Sequence, residues 1–298
     1  MISILIPCYD YSVYNLVCEL KNQCDQLAVE YEIICQDDAS GSELNRDNER
    51  INNLERCHFY SNLENLGRGK NRNSLAQKSK YNGLLFIDCD TFPTSPSFIE
   101  NYLNALKTDT ISVIFGGIVY ETNSPECNKL LRWVYGKKRE SIGFIERKKN
   151  PYATTLTSNL FIKRSVFEHI LFSDSIIEYG YEDLLFISDL KRQSVAIEHI
   201  DNAVFHLNIE TSAIFLEKTK VALDNLAELS STGRLPHNES KLVFHYNRLK
   251  KYGLAPVLGQ LYSGVETLLR RNLISKHPNL FIFDLYKLGY FCKKKSNL

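Results

Sequence analysis

Short apolar runs alternate with amphipathic stretches along the first 110 residues, and this alternation limits the fold more than any other feature of the chain. It predicts strands at 2–6, 32–36, 57–61 and 84–87, with helices at 11–27, 42–54, 68–80 and 95–106. Strands that alternate with helices form βαβ units, whose right-handed crossovers give a mostly parallel sheet. Longer strands are predicted at 111–121 and 154–163, on either side of a basic stretch, and a short one at 202–206. Helical patterns return at 181–191 and 210–229 and hold from 241 to 298. The run Ser230-Ser231-Thr232-Gly233-Arg234-Leu235-Pro236 is the clearest loop signal, so a boundary is expected near 233. The expected organisation is an α/β domain over 1–232, with halves at 1–110 and 111–232, followed by a helical region at 233–298.

Composition removes several classes of function. Hydrophobic content of 44% and charged content of 24% suit a globular protein, and a net charge of +1 argues against bulk electrostatic binding of nucleic acid. The eight cysteines contain no Cys-x-x-Cys pair and no zinc spacing, so they read as reduced thiols. Met1 leads straight into a strand pattern with no secretory signal, and no apolar run approaches the roughly 18 residues that span a bilayer, so a cytoplasmic location is expected.

Candidate chemistry gathers where strands end. The apolar run Leu84-Leu85-Phe86-Ile87 leads into Asp88-Cys89-Asp90, which puts two carboxylates at the C-terminal edge of the sheet, where open α/β sheets bind ligands. Residues i and i+2 of an extended chain project to the same side, so both could converge on one hard cation that neutralises a diphosphate, as in a nucleotide-sugar site. The same spacing also serves as a turn or helix cap. The first strand ends in Pro7-Cys8-Tyr9-Asp10, where an aromatic ring could pack on a base. The second ends in Asp37-Asp38, where a carboxylate could accept a uracil N–H. Asn65-Leu66-Gly67-Arg68-Gly69-Lys70-Asn71-Arg72-Asn73 turns into a helix with three cations at its start, a placement that opposes the helix dipole unless an anion binds there; the plain alternative is a solvated turn. Glu182-Asp183 opens a later helix, either as a simple cap or as a general base, and His206 ends a short apolar strand.

Taken in order, these segments resemble the inverting glycosyltransferases of family 2, which have the GT-A fold, over roughly residues 1 to 220. The resemblance implies that Pro7 and Tyr9 help hold the base, that Asp38 contacts uracil, and that Lys70, Arg72, Asp88 and Asp90 serve the diphosphate. It further implies Asp90 and His206 as ligands of a divalent metal, Mn2+ or Mg2+, and Asp183 as the base. Asn159 and Glu182 would lie on the acceptor side, although Thr157-Ser158-Asn159 has serine where the family often has glycine. Phe205-His206-Leu207-Asn208-Ile209-Glu210 and the helix after it look like bacterial members with a helical C-terminal extension. The implied activity is non-processive transfer of a sugar from a nucleotide-sugar donor, a UDP-sugar favoured, to a glycan or lipid-linked acceptor in cell-surface polysaccharide or glycoconjugate synthesis. Lys129-Leu130-Leu131-Arg132-Trp133 only partly matches the signature of processive synthases and precedes Glu182-Asp183 instead of following it.

Two other classes stay open. A nucleotidyltransferase also uses carboxylate-bound metal, but no glycine lies between Pro7 and Tyr14; a silent glycan-binding protein of the same fold is the other. The basic stretch at 132–151 reads as a surface loop or as a lid over the acceptor. Arg270, Arg271 and Lys293-Lys294-Lys295, mixed with aromatic residues, could seat the protein on the inner face of the cell membrane, or the aromatics could simply pack a helical subdomain. The sequence carries no sign of oligomeric state.

Overall fold

The computed structural model describes residues 1–108, 110–176, 179–236 and 239–296. Its elements begin with β1 (Ile2–Cys8), α1 (Tyr14–Asp25), β2 (Tyr31–Asp37), α2 (Asn45–Asn48), β3 (Cys57–Ser61), α3 (Arg68–Lys78), β4 (Gly83–Ile87), β5 (Thr91–Pro93), α4 (Phe98–Ala105), β6 (Val113–Phe115) and β7 (Ile118–Val119). They continue with α5 (Leu130–Tyr135), α6 (Phe144–Lys149), β8 (Asn159–Lys163), α7 (Arg164–Phe167), α8 (Glu182–Arg192), β9 (Ile197–His199) and β10 (Val204–His206). Four longer helices close the chain: α9 (Ser212–Ser231), α10 (Lys241–Lys251), α11 (Ala255–Leu273) and α12 (Leu280–Ser296). The chain divides into two compact units: Met1–Glu121, Glu140–Ile177 and Leu185–Asn208 form the first, and Thr122–Arg139, Glu178–Leu184 and Ile209–Leu298 the second.

The first unit is built on a seven-stranded sheet in the order β3-β2-β1-β4-β8-β6-β9. Only β8 runs antiparallel to its neighbours, so the mostly parallel sheet predicted from the alternation is present. Both faces are covered, which explains why the strands are continuously apolar. Ile4, Ile6, Ile33, Leu85 and Ile87 pack on one side with α1 and α4, while Leu5, Ile34, Leu84 and Phe86 pack on the other with α3, α7 and α8. Because β1, β2 and β4 are parallel, their C-terminal ends reach one edge, and Tyr9, Asp38 and Asp88 follow directly at that edge. A second sheet, β5-β10-β7, pairs His206 with Thr91 in an antiparallel ladder.

Several predicted elements are shorter than expected. The helix at 42–54 shrinks to α2 and a 3-10 turn at Glu49–Asn53, because the buried Asn48 amide is engaged by the Val13 N–H and the Tyr11 carbonyl, both at 2.9 Å. The strand at 111–121 breaks into β6 and β7 around Gly116-Gly117: Gly117 has φ +103°, and a Cβ on Gly116 would lie 2.4 Å from the Asn202 carbonyl oxygen. In the segment 154–163 only β8 is extended, since Tyr152–Thr154 forms a 3-10 turn. Strands β5 and β9, of three residues each, were not predicted, being too short to show a period. The helical pattern expected from 241 to 298 is present as three helices, α10, α11 and α12, and the last two residues of that range lie outside the described ones.

Buried groups of this unit set an acid sensitivity. His199 is 1% exposed; its Nε2 lies 3.1 Å from the Pro151 carbonyl, and its Nδ1 has no hydrogen-bond partner among the described residues. Burial, then the Arg147 cation, push its pKa down to about 4. A lowered histidine pKa stabilises the fold above its ordinary value near 6.5, and that stability is lost as pH falls from there towards 4. The loss should amount to up to roughly 3 kcal/mol. Denaturant melts at pH 7 and pH 4.5 should therefore differ more for the wild type than for His199→Gln; equal differences would contradict this assignment.

The second unit is helical. Thr211 caps α9 by accepting the Ile214 N–H at 3.3 Å, and Ser240 caps α10 by accepting the Val243 N–H at 3.4 Å. Leu131, Phe215, Leu216, Tyr262, Leu273, Phe283 and Tyr286 form its core. Phe283, Tyr286 and Phe291 are thus packing residues, while Phe281 is 69% exposed. Arg270 pairs with Glu217, Lys294 with Asp224, and Lys295 donates to the Ala227 carbonyl and the Ser230 hydroxyl, so these cations are engaged along α9. Among the described residues no helix is long and apolar enough to cross a membrane.

Candidate active site

The edge of the sheet is shaped by a turn. Beyond Ile87 the chain leaves the strand, and the Thr91 N–H and hydroxyl both donate to the Asp88 carbonyl, at 3.1 and 2.8 Å. The expectation that Asp88 and Asp90 project together from an extended chain is therefore corrected: they stand on a turn and meet different partners. Arg72 of α3, itself 2% exposed, donates to Asp88 Oδ1 at 2.7 Å and lies against the Phe172 ring. Burial raises the Asp88 pKa, but the charges of Arg72 and Arg68, the Arg72 hydrogen bond and His206 outweigh it and hold the carboxyl below its usual range. Arg72 thus fixes Asp88 in its ionised form.

Asp90 faces His206, with Oδ2 3.6 Å from Nε2. The antiparallel pairing of β5 with β10 brings them together, and the Leu207 N–H donates to the Asp90 carbonyl at 2.8 Å. Tyr120 stacks on the His206 ring, with centroids 5.2 Å apart and an interplanar angle of 17°, and its hydroxyl donates to Glu140. Nothing in the sequence singled out Tyr120, because stacking between β7's end and β10 depends on the register of two very short strands.

An oxygen and a nitrogen at this separation can both bind one ion at about 2.1 Å from each. Among the described residues no group of three or more His, Cys, Asp or Glu side chains could hold a metal. Two protein ligands still suit Mg2+ or a similar hard cation, which usually keeps water and takes substrate phosphate oxygens as its remaining ligands. The Asp90–His206 pair thus fits an ion that arrives with, or is completed by, a diphosphate.

The other predicted residues of this unit fall into two groups. Tyr9 is 57% exposed just past β1, and Pro7 sits opposite Gln36 in the β1–β2 ladder. Lys70 is half-buried on α3, with no ion pair among the described residues, so it is available to an anion in a way Arg72 is not. Asp38 is buried and accepts three bonds: from the Asn62 amide at 2.8 Å and from the Leu66 and Gly67 N–H groups, each at 2.9 Å. It clamps the turn into α3, and a carboxylate with about four acceptor positions has room for one more donor. Fully buried, Asn159 accepts from the Tyr102 hydroxyl at 2.7 Å and donates to the Gly117 and Asn202 carbonyls at 2.8 and 2.9 Å, so it ties the β6–β7 break to β8.

In the second unit, Glu182 and Asp183 begin α8 after two residues with positive φ, Gly180 at +106° and Tyr181 at +69°. A bulky residue in that region is strained and persists where its surroundings demand it. The demand is visible: the Asn225 amide donates to the Tyr179 and Gly180 carbonyls, and a Cβ on Gly180 would sit 2.4 Å from that of Ala222. Glu182 is 3% exposed and accepts the Gly180 N–H at 3.0 Å, so it holds the turn. Asp183 stays half-buried. Within the basic stretch, Arg147 is neither surface nor lid. It is 2% exposed and donates to the Gly116 and Ile200 carbonyls at 3.0 and 2.9 Å.

Residues 3–171 match the family described as Glycosyl transferase family 2. No curated protein matches the sequence significantly. Among solved structures, the chain is similar to residues 1–349 of TarS from S. aureus, with 15% identity, a TM-score of 0.52, and coverage of 99% of this chain and 90% of that one. It is similar also to the mannosyltransferase PcManGT from Pyrobaculum calidifontis in complex with GDP-Man and Mn2+, at 12% identity, TM-score 0.54, and 99% and 86% coverage. A third is glucosyl-3-phosphoglycerate synthase from Mycobacterium tuberculosis with Mn2+, UDP and glucosyl-3-phosphoglycerate, at 18% identity, TM-score 0.51, and 79% and 81% coverage. These likenesses show the GT-A fold.

Proposed function

This chain belongs to glycosyl transferase family 2, and on that premise we propose that it moves a hexose from a nucleotide-sugar donor, a UDP-sugar favoured, to a hydroxyl of a glycan or lipid-linked sugar, with inversion. The observation that carries this reading is the Asp90–His206 pair at the sheet's C-terminal edge, beside the Asp88–Arg72 pair. Two structurally similar proteins hold Mn2+ together with a nucleotide or nucleotide sugar, which supports a divalent ion here. Asp90 and His206 would hold the ion, and when bound it would stabilise the charge of the leaving diphosphate. Lys70 adds a cation to the same diphosphate, while Arg72 acts by keeping Asp88 ionised and in place. Tyr9 packs against the base, and the spare acceptor position of Asp38 takes the uracil N–H. Asp183 removes the proton from the acceptor hydroxyl as its oxygen attacks the anomeric carbon. The setting we assign is bacterial cell-surface polysaccharide or glycoconjugate synthesis on the cytoplasmic side.

Inversion can be tested before the acceptor is known, because water can replace it. When the intact protein hydrolyses an α-linked UDP-hexose with Mn2+ present, proton NMR should show the β anomer first, ahead of mutarotation. An α anomer appearing first would contradict single displacement. Absence of nucleoside diphosphate release from UDP-, GDP- and dTDP-sugars alike would contradict the transferase reading.

A further inference from the structure

The second unit carries an open cleft of about 990 Å³ whose lining includes none of the residues assigned to sugar transfer. Its walls come from two stretches far apart in sequence. Lys138 and Arg139 lie on a wide π-type turn at Gly136–Glu140 that continues α5, and Lys276 and His277 lie in the connection from α11 to α12. Among the described residues no aspartate or glutamate lines the opening. Elsewhere in the unit Lys218 pairs with Glu210, Lys220 with Glu266 and Arg270 with Glu217. Arg139 reaches out to Asp284, which also pairs with Lys287, but Lys138 and Lys276 are exposed and have no ion pair among the described residues. Like charges around one opening repel each other, and an anion placed between them turns that repulsion into attraction.

The remaining lining narrows the class of ligand. Leu130, Trp133, Val134, Leu280 and Phe281 present apolar surface beside the cations, and Phe281 is 69% exposed. Asn279 also lines the cleft, where it caps α12 by accepting the Phe281 N–H at 2.8 Å, so the positive end of a 17-residue helix adds to the field there. A fully solvated inorganic anion would leave the apolar side uncovered, and a neutral hydrocarbon would leave the cations unanswered. We propose that this cleft binds a phosphate ester whose organic part is apolar. The proposal does not rest on the sugar-transfer reading, so either can fail alone.

Trp133 is the single tryptophan of the chain and lines the cleft, so its fluorescence reports occupancy directly. Titrating the intact protein with hexyl phosphate should give a saturable change in that signal; inorganic phosphate should bind at least about tenfold more weakly, and hexanol should give no change. The double variant Lys138→Glu/Lys276→Glu should weaken hexyl phosphate binding at least about tenfold, with circular dichroism and UDP binding unaltered. Lys138→Arg/Lys276→Arg should keep it. Vesicles of phosphatidylcholine with phosphatidic acid form a second arm: a Trp133 change there identifies a lipid headgroup as the source, and a change confined to hexyl phosphate identifies a soluble ester. No change with either probe, the same change with hexanol, or an unchanged affinity in the Glu/Glu variant would overturn the proposal.

Discussion

Asp183→Asn should lower the turnover of donor hydrolysis by a factor of about 10² to 10⁴, the usual contribution of a general base, while UDP affinity stays within about twofold. The amide has the shape of the carboxylate and caps a helix start comparably, so the strained turn through Gly180 and Tyr181 is kept. It cannot accept a proton. The neighbouring carboxylate offers no substitute, since Glu182 is buried and already bonded to the Gly180 N–H. Turnover retained in the variant would remove Asp183 from the chemistry. Turnover and UDP affinity lost together, with a lowered melting temperature, would assign Asp183 to folding.

The parallel sheet was legible because burial on both faces writes itself as continuous apolar runs. Ile2–Cys8 and Gly83–Ile87 feed two cores at once, and no helix pattern of that length competes with them. What failed was the projection of that regularity past its end. Asp88 and Asp90 were read as extended neighbours, yet the bonds from Thr91 to the Asp88 carbonyl make a turn, and each carboxylate gains its own partner. The identity of those partners depends on contacts between residues 16 and 116 positions apart, which no local period encodes. Charge misled in the opposite direction. Arg147 reads as solvated because it stands among Glu146, Lys148 and Lys149, whereas its bonds to the Gly116 and Ile200 carbonyls hold it in the interior. Asn159 is likewise held inside, its amide bonding the Gly117 and Asn202 carbonyls. Buried backbone groups left by an irregular strand must find partners, and side chains that look functional in a sequence are recruited to supply them.

The central claim is that Asp90 and His206 hold a divalent ion through which the donor diphosphate binds. Asp90→Ala removes a carboxylate at the sheet edge whose side chain is 23% exposed, so it should leave the core intact. Partners one step removed from a metal already cost about 10- to 100-fold when lost, and a direct ligand should cost at least about 100-fold. Calorimetric titration of UDP in the presence of Mn2+ measures this directly. The account predicts saturable binding to the wild type, loss of that binding when Mn2+ is replaced by EDTA, and at least about a hundredfold weaker binding to Asp90→Ala with Mn2+ present. Equal affinity in the variant, or wild-type affinity indifferent to EDTA, would contradict it.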